Sequence, residues 1–260
     1  MTDPAAHQAF ADAVRALAEA DFTDVADSFT NAGFSVRLPA RGILQVTSPG
    51  QSHKQLSLLL SVGIHGDETA PIDMLATLLA GLAQAPHQLG VDLMVVVGNL
   101  DAIAQGRRYL DADMNRLFRA DRGDLQAAAE AERADIIMRA TAAFFAMPAA
   151  RKWHLDLHTA IRPSFYPTFA VVPDVISAAE KSGLIAWLGD AGIGAVILNR
   201  KPAGTYSAYT AAQFGATSCT AELGQVGALG KNDLSLFSAT QRALDALLRS
   251  GQTQGLRLSP

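Results

Sequence analysis

The chain has 260 residues, which is long enough for one large domain, and it carries a formal net charge of −4 with a pI near 5.8. Hydrophobic residues make up 49 % of the sequence and charged residues 18 %, which argues against a disordered chain. The acidic balance argues against a nucleic-acid partner, and the single cysteine, Cys219, excludes an internal disulfide.

The first residues, MTDPAAHQAFADAV, have neither the basic start nor the apolar core of a secretory signal. No apolar run approaches the ~18 residues that a membrane-spanning helix requires. We therefore expect a cytoplasmic protein without a membrane partner.

The predicted elements alternate between strands and helices along most of the chain. In chain order they are helix 7–20, helix Asp24–Ala32, strand Ile43–Thr47, strand Gln55–Ile64, helix Pro71–Ala85, strand Val91–Asn99, helix Leu125–Ala146, strand Lys152–Leu157, strand Thr168–Val172, helix Ile176–Ala191, strand Gly194–Leu198, strand Thr217–Leu223 and helix Leu234–Arg249. Nearly continuous apolar strands such as VDLMVVVGN are typical of parallel sheets that are buried on both faces. The pattern predicts a single α/β domain over 1–260, with a mixed, mostly parallel central sheet and helices on both faces.

A histidine and a glutamate follow the second predicted strand in the stretch SVGIHGDETAPIDML. His65 and Glu68 are three residues apart, at the place where ligands bind in open α/β sheets. Imidazole and carboxylate are both zinc ligands, and a catalytic zinc ion commonly has three protein ligands and a water. An H-x-x-E spacing also occurs by chance, so the pair requires support from elsewhere in the chain.

The segment KWHLDLHTAIR contains further candidates at alternating positions. If it forms a strand, His154, Asp156 and His158 point to one face. We interpret His158, at the carboxyl end, as the third metal ligand, and Asp156 as the group that orients a ligating imidazole. His154 lies deeper and is interpreted as a hydrogen-bonded structural histidine; a surface loop position is the alternative for His158.

Glu222 ends the last predicted strand, in TAELGQVGALGKNDLSLF. A carboxylate beside a metal-activated water can accept its proton and pass it to a leaving amine. The alternative is a solvated carboxylate at a strand end.

A cluster of cations lies in QGRRYLDADMNRLF, after the third strand. Guanidinium groups near a metal bind anionic substrates because arginine matches carboxylates bidentately. The candidates are Arg107, Arg108, Asn115 and Arg116, with Arg162 from the His158 segment as a further cation. Each arginine, taken alone, is more often a surface charge.

Four stretches together resemble the succinylglutamate desuccinylase and aspartoacylase family: GIHGDETAP, RRYLDADMNRLF, DLHTAIR and TAELGQVGALGKNDLSLF. They occur in family order between Gly63 and Phe237, and HTAIR and GKNDLSLF are most similar to the desuccinylase branch. The resemblance implies a zinc-carboxypeptidase-like fold. It also implies hydrolysis of the amide bond of a small anionic N-acyl amino acid, such as N-succinylglutamate or a related N-acyl acidic amino acid.

The resemblance also implies roles for individual residues. One zinc ion per chain would be bound by His65, Glu68 and His158, with Glu222 as the catalytic acid and base. Arg108, Asn115 and Arg116 match positions that contact the carboxylates or the amide of the substrate, whereas Arg107 becomes a bystander.

Two departures from the family pattern affect the expected pocket. Members usually continue into a β-rich C-terminal domain that covers the active site, whereas this sequence ends at Pro260. We expect a more open pocket, or one that a neighbouring subunit covers in a homo-oligomer. Pro163 and Pro167 replace a glycine and an acidic residue of the desuccinylase pattern, which affects the expected acyl preference.

Two other functions fit the same residues. A zinc carboxypeptidase that acts on short peptides would keep the site and cleave a different bond. A non-catalytic homologue that binds an anionic metabolite would keep the fold and the arginines, although the complete set of metal ligands and base argues against it. No P-loop, no G-x-G-x-x-G after a strand and no G-x-S-x-G motif is present in the sequence.

Overall fold

The computed structural model describes residues 4–48, 54–201 and 204–253. The two ends of the predicted domain, 1–3 and 254–260, therefore lie outside the described residues. The helices are α1 (Pro4–Ala18), α2 (Thr23–Asn31), α3 (Ala70–Gln84), α4 (Leu100–Ala104), α5 (Ala131–Phe145), α6 (Ala178–Asp190), α7 (Tyr206–Phe214) and α8 (Ser238–Ser250). The strands are β1 (Ser35–Ala40), β2 (Ile43–Thr47), β3 (Leu56–Val62), β4 (Asp92–Val97), β5 (Arg151–Ala160), β6 (Thr168–Pro173), β7 (Ala195–Asn199) and β8 (Thr217–Gln225).

In the described part of the chain, eight strands form one sheet in the order β1-β2-β4-β3-β5-β8-β6-β7. The central pairs β4–β3, β3–β5 and β5–β8 are parallel, as is the edge pair β6–β7. The pairs β1–β2, β2–β4 and β6–β8 are antiparallel. The predicted α/β class, with a mixed and mostly parallel sheet, is confirmed.

Strand β3 shows why the core has two halves. All seven of its residues are buried, and successive side chains point to opposite faces. Leu58 and Leu60 pack into the larger apolar cluster with α1, α2, α3, α6 and α8, whereas Leu59 packs into the smaller cluster with α5 and α7. Helices thus cover both faces of the sheet, as predicted.

The prediction of one helix over Leu125–Ala146 is wrong. A short 3-10 turn, Gly123–Ala127, comes first, Ala128 is extended, and α5 begins only at Ala131. The break places the carboxylate of Glu130 against the backbone N–H groups of residues 110–112, which donate to it over 2.7–3.2 Å. A tertiary contact therefore overrides the helical propensity of the alanine-rich stretch.

The sequence pattern did not predict β1, α4 or α7. Strand β1 is largely exposed and contains a proline, so it lacks the apolar signal of a strand. Helix α7 is built from small and polar residues, but it has a helix start and end in its sequence: Thr205 accepts from the N–H of Ala208, and Gly215 ends the helix with a φ of +63°. Among the described helices, none is both long and apolar enough to cross a membrane.

Candidate metal centre and active site

The three predicted motifs meet at one edge of the sheet, although they are far apart in sequence. His65 and Glu68 lie in the turn that joins β3 to α3, His158 lies near the end of β5, and Glu222 lies near the end of β8. Because β3, β5 and β8 are adjacent and parallel, their carboxyl ends are side by side. Ligands bind at this edge in open α/β sheets.

Three donor atoms converge there, one from each predicted metal ligand. His158 Nδ1 lies 2.7 Å from Glu68 Oε2, His65 Nδ1 lies 2.8 Å from Glu68 Oε1, and the two Nδ1 atoms are 3.2 Å apart. Tetrahedral zinc bonds of ~2.0–2.1 Å would separate two ligand atoms by ~3.3 Å, so the donors already stand close to the spacing that a metal requires. All three side chains are buried, and the arrangement suits a metal ion.

The turn between β3 and α3 depends on two glycines. Gly63 has a φ of +65°, a conformation that a residue with a Cβ rarely adopts. Gly66 packs against the backbone of α4. A Cβ at this position would lie 2.3 Å from the carbonyl carbon of Ala102 and 2.3 Å from the backbone nitrogen of Ile103. Only glycine at position 66 therefore leaves room for His65 and Glu68 to face the site.

Each imidazole of the cluster has a carboxylate oxygen near its second nitrogen. His158 Nε2 lies 3.0 Å from Asp156 Oδ2, and His65 Nε2 lies 2.9 Å from Asp113 Oδ1. A carboxylate in this position favours a proton on Nε2, which leaves the Nδ1 lone pair available to a metal. The sequence analysis proposed Asp156 for this role and missed Asp113, although Asp113 lies in the same motif as Asn115 and Arg116.

Charges and hydrogen bonds within this cluster shift the pKa values of Glu68, Asp113 and His158. Burial alone would raise the pKa of Glu68, but the charges and hydrogen bonds of His158 and His65 hold it well below its ordinary value. Burial would lower the pKa of His158, yet Asp156 and Glu68 raise it well above 6.5. The pKa of Asp113 falls to about 2, because His65 and Arg116 outweigh its burial. The carboxyl groups of Glu68, Asp113 and Asp156 therefore favour their charged form in this cluster.

Glu222 lies beside His158 at paired positions of β8 and β5. Its Oε2 atom is buried and has no hydrogen-bond partner among the described residues. Burial raises the pKa of this carboxyl above 4.5, and the negative charge of Glu68 adds to the effect. An unpartnered carboxylate next to a set of metal ligands is placed to exchange a proton with a water at the same site.

The predicted cations fall into two groups. Arg108 Nη1 donates to Glu68 Oε1 over 2.6 Å, and Arg116 Nη2 lies 3.6 Å from Asp113 Oδ2. Both arginines therefore lie beside the cluster formed by His65, Glu68 and His158. Asn115 is buried and its Oδ1 accepts from the N–H of Tyr206. Arg162 lies elsewhere, in a cavity beyond the ends of β5 and β8.

A second polar network lies beneath the centre. Asp156 Oδ1 accepts from Ser61 Oγ, and Ser61 Oγ lies 2.8 Å from His154 Nε2. His154 Nδ1 lies 2.8 Å from Thr210 Oγ1, and burial lowers the pKa of His154 to about 4. His154 is therefore a buried histidine with partners at both nitrogens, as predicted.

Comparison with known proteins agrees with this geometry. The family model described as the succinylglutamate desuccinylase/aspartoacylase catalytic domain matches residues 54–248. A succinylglutamate desuccinylase of Burkholderia cenocepacia is 44 % identical over 200 residues, which are 76 % of this chain and 57 % of the relative. One of Paraburkholderia xenovorans is 42 % identical over 211 residues, 80 % of this chain and 61 % of the relative. The chain thus spans about three fifths of the length of these relatives.

Solved structures show the same relationship. A succinylglutamate desuccinylase from Chromobacterium violaceum superposes with a TM-score of 0.79 at 38 % identity, covering 88 % of this chain and 74 % of that one. A metallo-carboxypeptidase from Burkholderia cenocepacia superposes with a TM-score of 0.59 at 17 % identity, covering 83 % of this chain and 66 % of that one. The second likeness is one of fold alone, and it agrees with the predicted zinc-carboxypeptidase-like architecture.

Proposed function

Because the chain belongs to the succinylglutamate desuccinylase/aspartoacylase family, we propose that it is a zinc-dependent amidohydrolase that deacylates an N-acyl acidic amino acid. N-succinylglutamate is the first candidate substrate, since the similar proteins are named succinylglutamate desuccinylases. The proposal is carried by one observation, the convergence of His65, Glu68 and His158 beside the unpartnered carboxylate of Glu222. The single eight-stranded sheet supports the view that the chain acts as one hydrolase domain.

In this proposal His65, Glu68 and His158 hold one zinc ion per chain. The ion would supply Lewis acidity, lowering the pKa of a water toward ~7 and polarising the scissile carbonyl. Asp113 and Asp156 keep the protons of the two imidazoles on Nε2, so that both Nδ1 lone pairs face the centre.

Glu222 carries the proton in both halves of the reaction. Its carboxylate accepts a proton as water attacks the carbonyl carbon, and then donates it to the nitrogen as the C–N bond breaks. The products are a carboxylic acid and a free amino acid. The raised pKa of Glu222 suits this role, because the group must both accept and release a proton near neutral pH.

Arg108 and Arg116 bind substrate carboxylates next to the scissile bond. Arg108 is partly exposed and donates a hydrogen bond to Glu68, one of the proposed zinc ligands. Its guanidinium group therefore lies next to the place where the scissile bond would be bound. Guanidinium groups hold carboxylates bidentately and remain charged at every physiological pH. Asn115 supports this side of the pocket through its hydrogen bond to Tyr206, and Arg162 serves a more distant part of the substrate.

Metal quantitation combined with a substrate panel tests the proposal. The panel contains N-succinylglutamate, N-acetylglutamate, N-acetylaspartate and unblocked dipeptides. We expect about one zinc per chain and turnover of an N-acyl acidic amino acid. Release of amino acids from dipeptides alone would favour the carboxypeptidase alternative, and protein that neither contains nor takes up zinc would favour a non-catalytic binding protein.

A further inference from the structure

A continuous row of polar side chains leads from the metal cluster into the interior of the sheet. It begins at His158, passes through Asp156, Ser61 and His154, and ends at Thr210 on α7. Each of these five residues is at most 1 % exposed. Because water does not reach the row, its members depend on one another for hydrogen bonds. The proposed reaction gives a role only to His158 and Asp156, so the other three residues require an explanation.

The pairing of β3 with β5 brings the middle of the polar row together. Ser61 and Asp156 are paired residues of the two strands, and His154 lies two residues before Asp156, on the same face of β5. Ser61 interrupts the apolar run LSLLLSV, in which every residue is buried. A buried hydroxyl is stabilised by a hydrogen bond, and that of Ser61 has a partner on each side.

The direction of the hydrogen bonds around Ser61 follows from counting protons. A serine hydroxyl carries one proton, and Ser61 donates it to Asp156 Oδ1 over 2.5 Å. The same oxygen can therefore only accept from His154, whose Nε2 lies 2.8 Å away. It follows that His154 carries a proton on Nε2.

The other nitrogen of His154 is then an acceptor. Burial lowers the pKa of His154 to about 4, so the ring is neutral near pH 7 and Nδ1 has a free lone pair. Thr210 Oγ1 lies 2.8 Å from this nitrogen and can donate to it. The carbonyl of Ser207, which is the other acceptor beside Thr210 Oγ1, already accepts from Ser218 Oγ over 2.7 Å. From Thr210 to Asp156, the hydrogen bonds of the polar row therefore point towards the metal cluster.

The polar row holds Asp156 by one oxygen and leaves the other to His158. Oδ1 accepts from Ser61, whereas Oδ2 lies 3.0 Å from His158 Nε2. Neither Asp156 Oδ2 nor His158 Nε2 has another polar partner among the described residues. A carboxylate rotates about its last bond, and a donor fixed at one oxygen restricts that rotation. Since a carboxylate of this kind orients the imidazole of a metal ligand, the orientation of His158 depends on Ser61 and on the residue that holds Ser61.

We propose that Ser61 and His154 are positioning residues of the metal centre, which hold the carboxylate of Asp156 so that it orients His158 as a ligand. The inference rests on the proposed function, because it concerns one of the proposed zinc ligands. It extends the support of that ligand by two residues into the interior of the sheet. It also predicts that zinc affinity responds to changes at His154, although two side chains separate His154 from His158.

Two amide variants of His154 separate positioning from packing. The side-chain nitrogen of glutamine reaches the place of Nε2, so His154→Gln can still donate to Ser61, whereas asparagine reaches only the place of Nδ1. We expect competition with a chelator to show a loss of zinc affinity of about 10-fold in His154→Asn and of at most about twofold in His154→Gln. The Tm of each metal-free variant, measured in parallel, reports the loss of packing.

Two serines of β3 provide a matched pair of variants. Ser61 and Ser57 are both buried on the same face of the strand, but Ser57 Oγ has no hydrogen-bond partner among the described residues. We expect Ser61→Ala to lower zinc affinity about 10-fold, the lower end of the range for a direct outer partner of a ligand. Ser57→Ala should leave zinc affinity unchanged.

The proton positions can be observed without metal or substrate. In a nitrogen–proton NMR correlation spectrum of the metal-free protein near pH 7, the ring of His154 should be neutral and protonated at Nε2. The spectrum of His154→Gln assigns the signal by its disappearance. This measurement on the wild type does not depend on whether any variant folds.

Three results would overturn the assignment. A proton on Nδ1 of His154 would contradict the direction of the polar row. Equal zinc affinity in His154→Asn and His154→Gln would leave the residue a packing role, and unchanged affinity in Ser61→Ala would exclude the serine. All three leave the amidohydrolase proposal standing as long as the wild type binds zinc. A wild-type protein that binds no zinc would instead refute the proposed function and this inference together.

Discussion

Glu222 and His158 occupy paired positions on neighbouring parallel strands, so the carboxylate and the imidazole stand side by side at the same depth of the sheet. A carboxylate oxygen lies within 3.0 Å of each ring nitrogen of His158, Glu68 at Nδ1 and Asp156 at Nε2, whereas the buried Oε2 atom of Glu222 has no hydrogen-bond partner among the described residues. That contrast fits the proposed roles, because a metal ligand must be held in place and a group that carries a proton must remain free to react.

Glu222→Gln should separate metal binding from catalysis. The amide keeps the shape of the side chain but cannot accept the proton of water. We expect the variant to retain stoichiometric zinc and to lose roughly 10²–10⁴-fold in kcat, the usual contribution of a general acid–base group. Unchanged turnover in a zinc-loaded variant would refute the role assigned to Glu222.

The same variant should be more stable than the wild type at neutral pH when both are metal-free. The pKa of Glu222 is raised in the folded state, so its contribution to stability is fully present below 4.5 and is lost as the pH rises through the folded pKa. Glutamine avoids this loss, and we expect the Tm to rise at pH 7.5, by about 2–4 °C for each kcal/mol gained. The gain should disappear near pH 4, and a gain that persists there would show another cause.

Asp113→Ala should weaken metal binding, because it removes the carboxylate that faces His65 Nε2. Loss of such an outer partner typically lowers metal affinity about 10–100-fold. Competition with a chelator measures the effect, and Asp156→Ala should act similarly through His158. Asp111→Ala is the matched control in the same loop, and equal affinities in all three variants would contradict the assignment.

Gly66→Ala should disrupt the turn that carries two of the proposed ligands. The added methyl group would lie 2.3–2.6 Å from three backbone atoms of residues 102, 103 and 107, which cannot move without displacing α4. We expect a loss of bound zinc together with a lower Tm. Gly183→Ala, in α6 with no atom near the added methyl, should instead be neutral or stabilising by up to about 1 kcal/mol.

Asp73→Ala should loosen the loop that follows β8. The substitution removes the acceptor for the N–H of Gly230 and for the amide of Asn232, and leaving such partners unpaired costs about 1–3 kcal/mol. Urea unfolding gives the free energy, and limited proteolysis should show faster cleavage within 226–233. Asp245→Ala, whose partner Arg249 lies one turn along the exposed side of α8, should cost less than about 1 kcal/mol.

The strands of the centre could be predicted from the sequence because burial dominates their composition. Strand β2 has the predicted bounds, and β3 and β4 each begin one residue later and end two residues earlier than predicted. Continuous apolar runs locate such strands, and the rule that ligands bind at their carboxyl ends then locates the candidate site. His65, Glu68, His158 and Glu222 follow from that rule together with their donor chemistry.

Features that depend on contacts between distant segments could not be predicted. Nothing in the composition of 125–146 indicates that Glu130 must serve as the acceptor for residues 110–112. Asp113 is one of several acidic residues in its segment, and only the fold shows that it faces His65. Lys231 and Arg162 likewise come to line one cavity only when β5 and β8 pair.

The position of β8 has a consequence for the folding of the chain. This strand is made last among the eight, yet it lies in the interior of the sheet, between β5 and β6. Until residues 217–225 leave the ribosome, β5 and β6 each present an unpaired strand edge, and such edges favour aggregation. Pairing across this separation in sequence is slow. The strand that carries Glu222 therefore also joins the two parts of the sheet, so a nascent chain that has not yet added Glu222 leaves both of these edges unpaired.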